Sequence, residues 1–288
     1  MKSVSKSDIL YLDLAPKTCL ELEEQALGKV ATLYKSTRII KDEVFKILAD
    51  NSILLQYPIE DDEICGFVCC KKERIFSYVN SYIPYEKQVF AAAHELYHIW
   101  FDKDILTTGE LLSSDVIDLA LDKGLSEREA RANRFAAILL VPEQVLKNEL
   151  AYMGIESGDK IELGYIIKLM DQFKVPYKTM VRRLYEIAFI DYEMCLNLIQ
   201  IPDRDESTGI RALQKRMQLG EDLNNRTKEI RFSGLIHNAI LAYENGKSTE
   251  EKLIYLLSLV RMKPEEFGIK LENKRPTEEE LLELLENE

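Results

Sequence analysis

The chain has 288 residues, 46% hydrophobic and 31% charged, a globular balance that excludes a wholly disordered, collagen-like or membrane-spanning chain. Its 38 Lys and Arg against 50 Asp and Glu leave a net charge of -12, so the overall field repels phosphate backbones and disfavours direct nucleic-acid binding without a local basic face. The longest apolar run, Phe135 to Val141, is far below the roughly 18 residues of a membrane span, so no membrane role is expected.

At the start, Asp8 and Asp13 interrupt any apolar stretch, which argues against a signal peptide. The five cysteines (Cys19, Cys65, Cys69, Cys70, Cys195) are odd in number and lack paired CxxC spacing; they read as reduced thiols of a cytoplasmic protein. Helical spacing covers Cys19 to Tyr34 and Arg38 to Leu48. Ser52 to Tyr57, Cys65 to Cys70 and Ile75 to Asn80 are β-rich, the last two joined across a charged turn at Lys71 to Arg74.

Pro84 suits the start of a helix from about Tyr85 to Asp102, with Ala91, Ala92 and Ala93 permitting close packing at its middle. A polar linker, Lys103 to Leu125, leads to a second helix with Ser126 as N-cap that stops before Pro142. From about residue 151 the pattern is helical to the end. Tyr165 to Ile187 holds two short helical periods broken at Lys174-Val175-Pro176, as in a helix-turn-helix. Long helical stretches follow from Thr208, with capping boxes at Ser248-x-x-Glu251 and Thr277-x-x-Glu280, the latter before a closing Leu-rich helix at Glu278 to Glu288. The organisation is thus α+β over 1–150, a helix-turn-helix-like segment over 151–200 and a helical region over 201–288.

Two of the three histidines fall in His94-Glu95-Leu96-Tyr97-His98, an HExxH. On a helix, positions i and i+4 lie about 40° apart around the axis, so both imidazoles can reach one ion from one face. Glu95 lies about 100° round from His94, poorly placed as a ligand but able to reach a water at the metal. A catalytic zinc takes three protein ligands and keeps one position open. The second helix offers Glu127 and Glu129; Glu129 is preferred because Ala132, Asn133 and Ala136 share its side, whereas Glu127 lies in the frayed first turn. Ser126-x-x-Glu129 is also a capping box, in which Glu129 would merely hold the helix start, a reading that competes with the ligand one. The third histidine, His237, lies on a remote helical pattern and reads as structural.

These stretches resemble the ImmA/IrrE family of zinc metallopeptidases, in which strands ending in an asparagine precede an FxxxHELGH helix and an ExxxNxFAxxLLMP helix. The matching residues are IFSYVNS with Asn80, Phe90-Ala-Ala-Ala-HELYH, and Glu129 through Asn133 and Phe135 to Pro142, within roughly residues 35 to 145. The resemblance implies a zincin-like metallopeptidase domain, one Zn2+ per chain on His94, His98 and Glu129, Glu95 as catalytic base, and a supporting role for Asn133 beside a ligand. Tyr97 stands where the family has glycine, which places a ring near the metal face as a candidate hydrogen-bond donor to the transition state; Val141 stands where it has methionine. It further implies a regulatory endopeptidase whose partner is a helix-turn-helix transcriptional repressor, cleaved to derepress a regulon or mobile element. Two other readings compete: a non-catalytic binding module acting as an antirepressor by binding alone, and DNA binding through Lys168, Lys174, Lys178, Arg182 and Arg183, a set that serves equally as a solvated face or a docking surface.

Overall fold

The computed structural model describes residues 14–34, 39–107, 112–115, 126–156 and 161–270. The chain divides into two compact units, Met1–Arg231 and Phe232–Glu288.

The first unit opens with α1 (Pro16–Tyr34) and α2 (Glu43–Asn51), the latter burying Val44, Phe45, Ile47 and Leu48 on one face. The second helix begins later than the sequence pattern suggests. Lys41 takes a φ of 52°, and a left-handed residue cannot continue a right-handed helix, so the turn at 41–42 sets the start at Glu43.

Three strands follow: β1 (Ile53–Tyr57), β2 (Ile64–Lys71) and β3 (Arg74–Asn80). β2 and β3 are antiparallel with Phe67 opposite Tyr78, while β1 runs parallel to β3 with Leu55 opposite Tyr78. Lys72 and Glu73 close the β2–β3 hairpin with φ values of 50° and 63°, the doubly left-handed geometry a two-residue turn demands even without glycine. Asn80 ends β3 and fixes the β1–β2 connection. Its Nδ2 donates to the carbonyls of Ile59, Asp61 and Ile64, and its Oδ1 accepts from the amides of Ile59 and Tyr82. A fully buried amide satisfied this completely is a clamp for the loop.

After Pro84, whose fixed φ of -52° suits a helix start, α3 (Tyr85–Phe101) crosses the sheet against β2 and β3 and buries every residue from Gln88 to Ile99. The stretch expected as a polar linker from Lys103 to Leu125 holds two elements instead: α4 (Lys103–Thr107) and β4 (Leu112–Asp115). β4 pairs antiparallel with β2, whose free edge supplies the hydrogen bonds that the LSSD sequence does not advertise. The rest of that linker lies outside the described residues.

Next come α5 (Glu127–Leu140) and α6 (Glu143–Tyr152), separated at Pro142. α7 (Leu163–Phe173) and α8 (Tyr177–Glu186) break at Lys174, whose φ is 57°, and α9 (Tyr192–Ile199) is capped by Asp191. In place of long helices from Thr208, the chain forms only α10 (Gly209–Arg216) and α11 (Glu221–Asn224), since Gly220 turns the backbone at a φ of 79°. The following segment runs extended along the first unit: the Tyr85 amide donates to Asn225, Lys228 donates to the Ser81 carbonyl, and Ser81 Oγ donates to Glu229. It ends in β5 (Arg231–Phe232), an exception to the expected all-helical course. The described strands are ordered β4-β2-β3-β1-β5.

The second unit contains α12 (Leu235–Glu244), α13 (Glu250–Ser258) and a 3-10 turn at Pro264–Phe267, with Ala239, Leu253 and Leu257 at its core. The cap of α13 is Thr249, one residue after the expected Ser248: Thr249 is extended and its Oγ1 accepts from the Lys252 amide. Asp8, Asp13, the Thr277-x-x-Glu280 box and the Glu278 to Glu288 stretch lie outside the described residues. Among the described residues no helix is long and apolar enough to cross a membrane.

One buried ion pair ties α8 to the end of α5. Arg183 donates through Nε to the Val141 carbonyl at 3.0 Å and through Nη1 to Glu186 at 2.7 Å, while Arg134 pairs with the other Glu186 oxygen. Replacing one member of such a group leaves a buried charge short of a partner. Arg183→Met is expected to lower unfolding stability by about 3–5 kcal/mol, read as a shift of the denaturant midpoint.

Candidate metal centre

α3 and α5 supply the whole site. His94 and His98 stand one turn apart on α3, and Glu129 comes from the first turn of α5. His94 Nε2 lies 3.0 Å from Glu129 Oε2, His98 Nε2 lies 3.0 Å from His94 Nε2, and His98 Nε2 lies 3.6 Å from Glu129 Oε1. Among the described residues these three form the group of His, Cys, Asp and Glu placed to hold a metal ion.

The separations fit zinc. Tetrahedral nitrogen and oxygen ligands at ~2.0–2.1 Å stand roughly 3.3 Å from one another, and the observed spread brackets that value. The outer nitrogens fit as well. His94 Nδ1 lies 2.8 Å from Asn133 Oδ1 and His98 Nδ1 lies 2.6 Å from Asp102 Oδ2, so each acceptor calls for a proton on Nδ1 and turns Nε2 inward.

Glu129 serves two structures at once. Its amide donates to Ser126 Oγ at 3.3 Å, which caps α5, while its carboxylate turns away from the cap to the histidines. Burial would raise its pKa, but hydrogen bonds from His94 and His98 outweigh that and hold the carboxyl well below its usual range. Burial would likewise lower the pKa of His98. Its hydrogen bonds to Asp102 and Glu129, with the charge of Glu95 nearby, instead raise it to about 9.

Glu95 is fully buried on the sheet side of α3. A Cβ at Gly66 of β2 would stand 2.9 Å from Glu95 Oε1 and 2.8 Å from the Tyr78 carbonyl, so this carboxylate occupies space that only glycine leaves open. Tyr97 packs its ring edge-on to His98 at 5.7 Å and against Phe101 and Phe135, and its hydroxyl pairs with Arg131. His237 is exposed on α12 and takes no part in the group.

Sequence reasoning missed two residues. Asp102 carried a readable signal, standing at i+4 from His98, and Gly66 carried a weaker one, a glycine interrupting a strand. Of the five basic residues in the helix-turn-helix-like segment, Arg182 and Arg183 are buried, and Lys174 pairs with Asp171 and Asp222. They do not make a common basic face.

Residues 72–185 match the IrrE N-terminal-like domain of the Peptidase_M78 family, a stretch that takes in β3, α3, α5 and the pair α7–α8. No curated protein matches the chain.

A metal ion bound through His98 Nε2 would displace the proton that its hydrogen bonds to Asp102 and Glu129 favour. Because the pKa is raised to about 9, the proton competes with the metal increasingly as pH falls below that value and progressively less above it. Apparent zinc affinity, measured by chelator competition, is therefore expected to fall about tenfold for each pH unit below 9 and to level off above it.

Proposed function

The match over residues 72–185 supports an ImmA/IrrE family protein, and from that premise we propose that the chain is a zinc-dependent endopeptidase that cleaves a helix-turn-helix transcriptional repressor. The observation that carries the catalytic part is the convergence of His94, His98 and Glu129 beside the buried Glu95. The substrate class rests on the family resemblance, and the five cysteines, none of them in a disulfide, fit a reducing, cytoplasmic setting.

In this reading His94, His98 and Glu129 hold one zinc ion. Bound there, zinc supplies Lewis acidity, lowering the pKa of water and polarising the scissile carbonyl. The protein's own groups do the rest. Glu95 takes a proton from the attacking water and delivers it to the departing amine, so one carboxylate serves both half-steps. Burial against β2 fixes its position, and Gly66 gives it room. Asn133 holds His94 with Nε2 facing the ion. Tyr97 walls the far side of His98; its hydroxyl, engaged with Arg131, orients the ring there.

Metal content and turnover separate catalysis from binding alone. Wild type is expected to carry about one zinc per chain, and Glu129→Ala to lose it, read by elemental mass spectrometry. Glu95→Gln is expected to keep its zinc while proteolysis falls by at least about 100-fold. Undiminished cleavage by Glu95→Gln would remove Glu95 from the mechanism. A wild-type protein that takes up no zinc yet binds a repressor stably would make it an antirepressor that acts by binding.

A further inference from the structure

His94 and His98 are held by different kinds of acceptor. His94 meets the neutral amide of Asn133 on a neighbouring helix, whereas His98 meets a carboxylate on its own chain segment, Asp102. Asp102 is the C-cap of α3, with its amide donating to the His98 carbonyl at 3.0 Å and its side chain only 13% exposed. Its carbonyl also accepts from the amides of Ile105 and Leu106, so Asp102 stands at once at the end of α3 and at the start of α4, where an aspartate is a favoured cap. What its side chain adds is the approach of Oδ2 to His98 Nδ1, at 2.6 Å.

The geometry points to Asp102 as a positioning residue of the metal centre: its carboxylate fixes the His98 ring with the proton on Nδ1 and directs Nε2 at the ion, setting how tightly the metal is held. This rests on the metal-centre reading above and adds a residue to it. The second oxygen of a carboxylate also leaves the pair charged, so His98 is the more electron-rich ligand of the two. The cap bond and the side-chain bond come from one residue, which couples the end of α3 to the orientation of the ligand one turn earlier.

The test compares wild type with Asp102→Asn and Asp102→Ala in the full-length protein. The zinc dissociation constant would come from competition with a chromophoric chelator, the ligand field from the visible spectrum after cobalt substitution, and the fold from far-ultraviolet circular dichroism. Asp102→Ala is expected to weaken zinc binding 10- to 100-fold and to alter the cobalt spectrum while leaving the helix content unchanged. Asp102→Asn, which keeps an acceptor without the charge, is expected to fall between the two. Zinc affinity within about twofold of wild type and an unchanged cobalt spectrum in Asp102→Ala would overturn the assignment. If Asp102→Ala does not fold, wild-type affinity in Asp102→Asn overturns it instead. A wild-type protein that binds no zinc brings down the metal centre and this proposal together, an outcome distinct from wild-type binding that Asp102→Ala retains.

Discussion

A glutamate on α5 can reach two imidazoles on α3 only if the two helices approach closely, and that approach governs everything at the site. Interaxial distance follows the size of the side chains at the crossing. Both helices are rich in alanine where they are buried: Ala91, Ala92 and Ala93 on α3, and Ala130, Ala132, Ala136 and Ala137 on α5, all without solvent exposure. The 2.8 Å bond from His94 to Asn133 and the 3.0 Å bond from His94 to Glu129 span that gap with side chains no longer than the residues provide. Enlarging an alanine in the crossing would separate the ligands before it disturbed the rest of the core.

The sheet sets the other boundary. α3 lies on β2 and β3 and presents Glu95 to β2 while His94 and His98 turn toward α5. A helix with residues buried along its whole middle can divide its functions by angle, since successive side chains point about 100° apart. Here the base faces a strand and the ligands face a helix. Gly66 makes the first contact possible and the alanines make the second, so two independent absences of side-chain bulk shape one site.

Much of this was legible because it depends on local pattern. The i, i+4 spacing of His94 and His98, Pro84 before α3 and Pro142 after α5 are fixed by helix geometry and proline chemistry. Glu129 was ambiguous for a sound reason: a residue three after a capping serine satisfies the cap with its backbone, which leaves its side chain for another purpose. Elements defined by pairing were less readable. β4 and β5 exist because β2 and β1 had open edges, and LSSD and RF carry little strand signal of their own. The cap at Thr249 instead of Ser248 shows the same limit at small scale, since two adjacent hydroxyl residues are chemically equal and only backbone direction chooses between them.

A buried cluster of two imidazoles and two carboxylates also has consequences for stability in the absence of metal. His98 Nε2 lies 3.0 Å from His94 Nε2, and although burial alone would lower the pKa of His98, its hydrogen bonds to Asp102 and Glu129 favour its protonated form. Its folded pKa of about 9 stands above the ordinary value near 6.5, so the proton stabilises the fold fully below about pH 6.5 and this contribution is lost as pH rises through 9. The depressed Glu129 reflects the same interaction seen from its other end, so it is not a separate gain. Proton and zinc thus satisfy the same electrostatic demand by turns. Where the proton leaves, the paired carboxylates and the two inward nitrogens are set for a divalent cation, and the pH range that weakens the metal-free cluster is the one in which it binds metal best.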